Sequence, residues 1–291
     1  MTLLHRCAFE LLACALGLCL AGASVATLAV TCEAAQRGAP QVVADIMRAD
    51  YRADRAALAR LVEELTPVPT GGRDAALVRY WRGYAWWRRA INGFNDDTPV
   101  AELIADLRAA VDEFERALEA DESSVDARAG RLSSIGLLFF ANRADPEVMK
   151  PQIPRAMALL AEARDQHADH PRMIWVLGQA SWNMPPSSSK EAVAARQQDV
   201  LASYERGLRA IRAAPRPTHP LEPTWGEPEL LMSLAWGNLN RVERDLEAAE
   251  RHARAALALV PDWHYVRDIL LPQILKAKAP RDEERRPRAP R

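Results

Sequence analysis

The sequence predicts an all-α fold, and three observations carry that prediction. Only 13 of 291 residues are glycine, and no segment alternates apolar and polar residues as a half-buried strand would. Ala, Leu, Glu and Arg, which are strong helix formers, dominate the long segments between proline clusters. The stretch from Leu230 to Trp263 reads as two amphipathic helices joined by a short charged turn. On the second of these, Ala249, Ala253 and Ala256 recur at i, i+4 and i+7. Such a stripe of small side chains lets another helix approach closely. Pro261 then ends the helix, because it lacks an N–H and disfavours helix in the residue before it. Gly237 on the first helix is a second point of close approach.

Composition bounds the function classes. An apolar content of 49% is ample for a core, and a net charge of −1 with pI about 6.6 gives no global attraction for nucleic acid. Cys7, Cys14, Cys19 and Cys32 all fall at the N-terminal end, so the remainder of the chain can form no internal disulfide.

The same end carries a targeting pattern. Arg6 precedes an uncharged run from Leu11 to Thr31, with small residues at Ala21-Gly22-Ala23 and again at Ser24-Val25-Ala26. Residues 1–32 are expected to be a secretory signal peptide or an N-terminal membrane anchor, and a lipoprotein modified at Cys32 is a third reading. Each puts the rest of the chain outside the cytoplasm, periplasmic or secreted, with membrane contact only through this segment.

Taking the elements in order, Gln41 to Leu65 is expected to be one helix, its apolar residues on a single face. The Pro- and Gly-rich residues 66–72 break it. Asp74 to Asn95 follows as an aromatic helix, then helices over Val100–Ala120 and 124–142. Pro151 and Pro154 interrupt the chain before a helix over Arg155–His167, and Pro171 opens another that runs to Trp182. Ser188 with Glu191 forms a capping box for a helix reaching Ala213. Residues 214–229 hold Pro215, Pro217, Pro220, Pro223 and Pro228, so they read as a strap rather than a packed element, with Thr224 and Glu227 as a second capping box. After the 230–263 hairpin, His264–Lys276 is expected to cap the stack, leaving a helical domain over 40–277 and a charged, proline-rich, disordered tail at 278–291.

The Ala249, Ala253, Ala256 frame with Pro261 resembles the second helix of the tetratricopeptide repeat (TPR), a helix–turn–helix unit of about 34 residues. The frame recurs at Ala110, Phe114 and Ala117, at Ala156, Leu160 and Ala163, and at Val200, Tyr204 and Gly207. Leu177-Gly178 and Trp236-Gly237 fall at the family's first-helix pair, and Arg82-Gly83 with Trp86 fits the first hairpin. The resemblance runs from near residue 74 to 277. It implies a TPR-like right-handed superhelix of antiparallel helix pairs, whose concave face would be lined by Tyr80, Tyr84, Trp87, Arg88, Trp175, Gln179, Trp182, Leu234, Asn238 and Arg241. It further implies a non-catalytic scaffold that binds a protein or peptide. The alternative it offers is a small-molecule binding component of an envelope transporter, like the TPR-like T-components of TRAP transporters.

No P-loop, dinucleotide-binding turn or nucleophile elbow occurs, and neither a cofactor nor a metal is expected. His167-x-x-His170 with Asp165 and Asp169 reads as a solvated helix end, since it lacks a set of four ligands. The aromatic helix allows two readings that sequence leaves open. Its rings line a binding face, or they fill the core between long helices.

Overall fold

A computed structural model of the chain describes residues 37–182 and 189–279. The segment expected to be a signal peptide or anchor (1–32) and the tail from 280 onward lie outside these, as does Ser188 of the expected capping box. The chain is all-helical, with eleven α-helices and no strand among the described residues. They are α1 (Ala39–Tyr51), α2 (Arg55–Glu64), α3 (Gly72–Gly93), α4 (Val100–Ala120), α5 (Val125–Ala141), α6 (Ile153–Gln166), α7 (Pro171–Trp182), α8 (Lys190–Ala213), α9 (Glu227–Asn240), α10 (Leu246–Leu259) and α11 (Leu271–Lys278). A 3₁₀ helix, Pro146–Gln152, precedes α6, and a π-helical turn, Tyr265–Leu270, leads into α11.

Local chemistry sets the helix starts. Asp54, Ser124, Ser189 and Asp245 each accept the backbone N–H three residues on, at 2.9, 3.3, 3.2 and 2.9 Å. Asp54 also explains why the expected helix over 41–65 is two. Ala53 adopts a left-handed φ of 57°, and Asp54 then caps a new helix in a different direction. At α9 the expected Thr224/Glu227 box gives way to Gly226 and Glu229. Gly226 sits at φ 128°, a conformation that side chains rarely adopt, and its N–H donates to Glu229 Oε2 at 2.8 Å.

Consecutive helices pack on one another, α3 on α4 and α9 on α10 most extensively. Small residues allow the close approach. Ala249, Ala253 and Ala256 are fully buried. The Phe114 ring of α4 lies where side chains at Gly83 of α3 and Gly130 of α5 would otherwise stand, with added Cβ atoms 2.9 and 2.3 Å from it. Tyr204 of α8 does the same over Gly178 of α7, at 2.3 Å. The frame is weakest on α6, where Ala163 is buried and Ala156 and Leu160 are only partly so.

Two features depart from a simple row of pairs. The proline-rich strap is a packed element, because Trp225 and Leu221 are buried between distant helices. Trp225 Nε1 donates to Tyr80 Oη at 2.5 Å, and Trp81 Nε1 donates to the Leu221 carbonyl at 2.7 Å. The Arg172 guanidinium clamps the strap through the Trp225 and Pro223 carbonyls at 2.8 and 2.5 Å. The two ends of the helical body also meet. Tyr51 at the end of α1 packs edge-on against Trp263 with centroids 5.1 Å apart, and Arg52 Nη2 donates to Asp262 at 2.7 Å.

These contacts predict opposite outcomes for two helical glycines. Gly178→Ala drives a methyl into the Tyr204 ring and should cost about 1–3 kcal/mol. Gly136→Ala, with nothing within 4 Å of the new methyl, should gain roughly 0.5–1 kcal/mol from helix propensity. Denaturant unfolding of both variants measures the pair, and equal effects would refute the packing described.

Candidate functional site

The aromatic helix α3 supplies the core. Tyr80, Trp81, Tyr84 and Trp87 are at most 1% exposed and pack edge-to-face on each other and on Phe114, Trp175 and Trp225. Tyr80, Tyr84 and Trp87 are therefore core residues, a correction to their expected place on a binding face. The reason is the strap: Trp225 covers the surface that these rings would otherwise present, and rings of this size stabilise most when fully buried. Asn238 and Arg241 also lie outside the lining of the cavity that the other expected residues share. Asn238 is buried with its side-chain amide donating to the Leu234 carbonyl at 2.9 Å, and Arg241 donates to Gln198 Oε1 at 3.1 Å and to the Glu243 carbonyl.

The other expected residues, Arg88, Trp175, Gln179 and Trp182, do converge. They border a cavity of about 310 Å³ enclosed by the C-terminal part of α3, by α5, α7, α8 and α9, and by the turn after α10. Its walls are aromatic. Trp182 and Trp236 meet edge-on at 5.2 Å, Trp263 and Tyr265 close one side, and Phe94 and Phe140 meet at 5.6 Å at the mouth. Sequence reasoning missed Tyr204, Ser233, Trp236, Trp263 and Tyr265 as lining residues. Trp236 carried a signal, since it stands in the Trp-Gly pair of the last hairpin, but nothing local tied Trp263 to a cavity.

The floor is polar and water-poor. Arg88, only 3% exposed, donates from Nε to Asp50 Oδ2 at 2.7 Å. Tyr84 Oη donates to the same oxygen at 3.0 Å, and Asn92 Nδ2 reaches Asp50 Oδ1 at 3.1 Å. Beside them, fully buried Glu229 accepts from Tyr51 Oη at 2.9 Å and from the Gly226 N–H. Burial, the largest single influence, lowers the Arg88 pKa, but the Asp50, Tyr84 and Glu229 electrostatics and the Asp50 hydrogen bond together raise it further, so the guanidinium stays protonated. Burial pushes the Glu229 carboxyl above its ordinary value of 4.5, with the Arg88 charge pulling the other way. It likewise pushes the Tyr51, Tyr84 and Tyr204 phenols up, so all three remain neutral.

Away from this floor, His170 lies 3.8 Å from Asp126, which Arg172 also contacts, and burial lowers the His170 pKa. No cluster of three or more His, Cys, Asp or Glu side chains with metal-binding spacing occurs among the described residues, and no helix among them is long and apolar enough to cross a membrane. No family model, curated protein or solved structure matches the chain.

Two measurements separate core from cavity. Trp87→Ala should destabilise by about 3–5 kcal/mol, whereas Trp236→Ala, at a partly exposed wall position, should cost markedly less. Thermal melts of the two variants check this. Because the folded Glu229 pKa lies above the unfolded value, the folded chain binds the proton more tightly, and stability falls as pH climbs from 4.5 through the folded value. Glu229→Gln should remove that loss, so its melting temperature relative to the native chain rises with pH above 4.5. A pH-independent difference would count against the burial of an ionisable group here.

Proposed function

We propose that this chain is an extracytoplasmic, non-catalytic binding protein, a TPR-like right-handed superhelix whose inner side receives a compact organic ligand. One observation carries the choice of ligand: Arg88, Trp175, Gln179 and Trp182 of the expected binding face border a bounded aromatic cavity of about 310 Å³. Cavities that bind small molecules begin at roughly this size, and they combine apolar walls with a few fixed polar groups. An extended peptide would instead need a continuous exposed track, and the residues expected to form one, Tyr80, Tyr84 and Trp87, are sealed beneath Trp225.

The repeat-like frame supports the TPR-like reading. Small residues at Gly83 and Gly178 meet the ring of the paired helix, as a stack of antiparallel pairs requires. The uncharged run at Leu11–Thr31 supports the location outside the cytoplasm. A ligand-binding protein stationed there would present its cargo to an envelope component. A second reading, binding of a peptide through one inserted side chain, is favoured by the 52% exposure of Phe140 at the cavity mouth.

A thermal-shift screen of the intact chain against small organic acids, amines, nucleosides, sugars and pooled random peptides tests the proposal. At least one small-molecule class should raise the melting temperature, with the shift lost in Trp236→Ala. Stabilisation by the peptides alone would favour the second reading, and a small-molecule shift that survives Trp236→Ala would move the ligand out of this cavity.

A further inference from the structure

The residues lining the cavity differ in one respect that bears on ligand class. Among the described residues that line it, Arg88 is the only formally charged side chain. Its Nε–H is engaged by Asp50 at 2.7 Å, and among the described residues this is the one hydrogen bond that Arg88 donates. The terminal nitrogens of the guanidinium therefore remain for another acceptor. They form the end of the fork that takes both oxygens of a carboxylate in parallel.

Asp50 is not part of the lining. It sits behind the guanidinium, fully buried, with Oδ2 shared by Arg88 and Tyr84 and Oδ1 taken by Asn92. The ion pair thus turns its positive end toward the cavity and its negative end away. Glu229 is likewise behind the lining, held by Tyr51 and the Gly226 N–H. The Tyr84 and Trp87 rings each lie 5.8 Å from the guanidinium carbon and hold the plane from the core side. Such a donor set cannot move to meet a ligand. It is already aimed, which removes much of the ordering cost of binding.

We propose that the cavity selects a monocarboxylate attached to a flat apolar ring system, its carboxylate on the terminal nitrogens of Arg88 and its ring between Trp182, Trp236 and Trp263. The inference rests on the binding function proposed above and deepens it. An ammonium ligand would gain from the aromatic walls, but it would stand against a buried cation with the carboxylates shielded behind it. A dianion would exceed the single charge offered, which the Asp50 carboxylate already offsets. A neutral amide could use the same donors, without the added strength of a charge-assisted pair.

The test uses the intact chain and three probes of one shape, 3-indolepropionic acid, its primary amide and the corresponding 3-indolepropylamine, followed by calorimetry. The native chain should bind the acid at least tenfold more tightly than the amide, and the amine most weakly. Arg88→Lys keeps the charge opposite Asp50 but loses the fork. It should weaken the acid at least fivefold and bring the acid-to-amide ratio close to one. Should that variant fail to fold, the probe series on the native chain still decides the matter. Trp236→Ala should weaken all three probes alike. Equal affinity for acid and amide, or tightest binding of the amine, with Trp236→Ala still weakening all three, overturns the carboxylate inference and leaves the cavity as a ligand site. The same holds if none of the three binds while another small-molecule class does so in a Trp236-dependent way. Acid binding that Trp236→Ala does not change overturns the cavity reading itself.

Discussion

The ion pair between Asp50 and Arg88 is the constraint to which the rest of the architecture conforms. Two opposite charges are held almost entirely out of water, at 0% and 3% exposure. Removing either one would leave the other buried without compensation, which is a far larger penalty than the pair itself is worth. The chain accordingly surrounds both with donors and rings. Tyr84 and Asn92 complete the Asp50 carboxylate, and Tyr84 and Trp87 cover the guanidinium. Tyr51, the next residue, reaches Glu229 on α9. Three helices far apart in sequence, α1, α3 and α9, are thereby fixed to one another by buried, hydrogen-bonded groups.

This linkage changes what a stack of helix pairs can do. In an open row each unit touches its neighbours, and the concave side stays available along its length. Here the Tyr51–Trp263 contact brings the first helix against the turn after α10, and the strap drives Trp225 into the cluster formed by α3 and α7. The aromatic rings of α3 are covered along much of that helix. What remains is a pocket at the C-terminal end of α3, where Gly93 and the turn after it end the helix and Phe94 and Phe140 leave an opening. The core has taken up the aromatic surface of α3, which is the physical ground for proposing a compact guest rather than an extended one.

Polar groups at the pocket floor illustrate a general relation between stability and binding. A guanidinium used only for structure would spend all its donors on the protein. That of Arg88 spends Nε on Asp50 and leaves its far end toward a space walled by tryptophans. The buried Glu229, whose carboxyl burial destabilises in its ionised form, lies behind the lining, held by Tyr51 and the Gly226 N–H. Groups that cost folding energy and face or adjoin a cavity are the usual mark of a site shaped for recognition rather than for stability alone.

The amino-acid sequence by itself determined most of the helices, though not the break at Ala53, and the small-residue frame of the last hairpin. Both are local matters of spacing: Ala249, Ala253 and Ala256 share a face whatever surrounds them, and proline ends a helix wherever it stands. The same local chemistry set the N-caps at Ser189 and Asp245. Only the tertiary structure decided which aromatic face was core and which was cavity. Tyr80, Tyr84 and Trp87 lie at the spacing of a binding face, yet they are buried because Trp225, more than a hundred residues later, packs on them. Trp182 and Trp236 form a wall for the corresponding reason: both stay partly exposed, and no later segment among the described residues covers them fully. Periodicity tells which side chains point the same way along one helix, and it carries no information about what arrives from elsewhere in the chain to meet them.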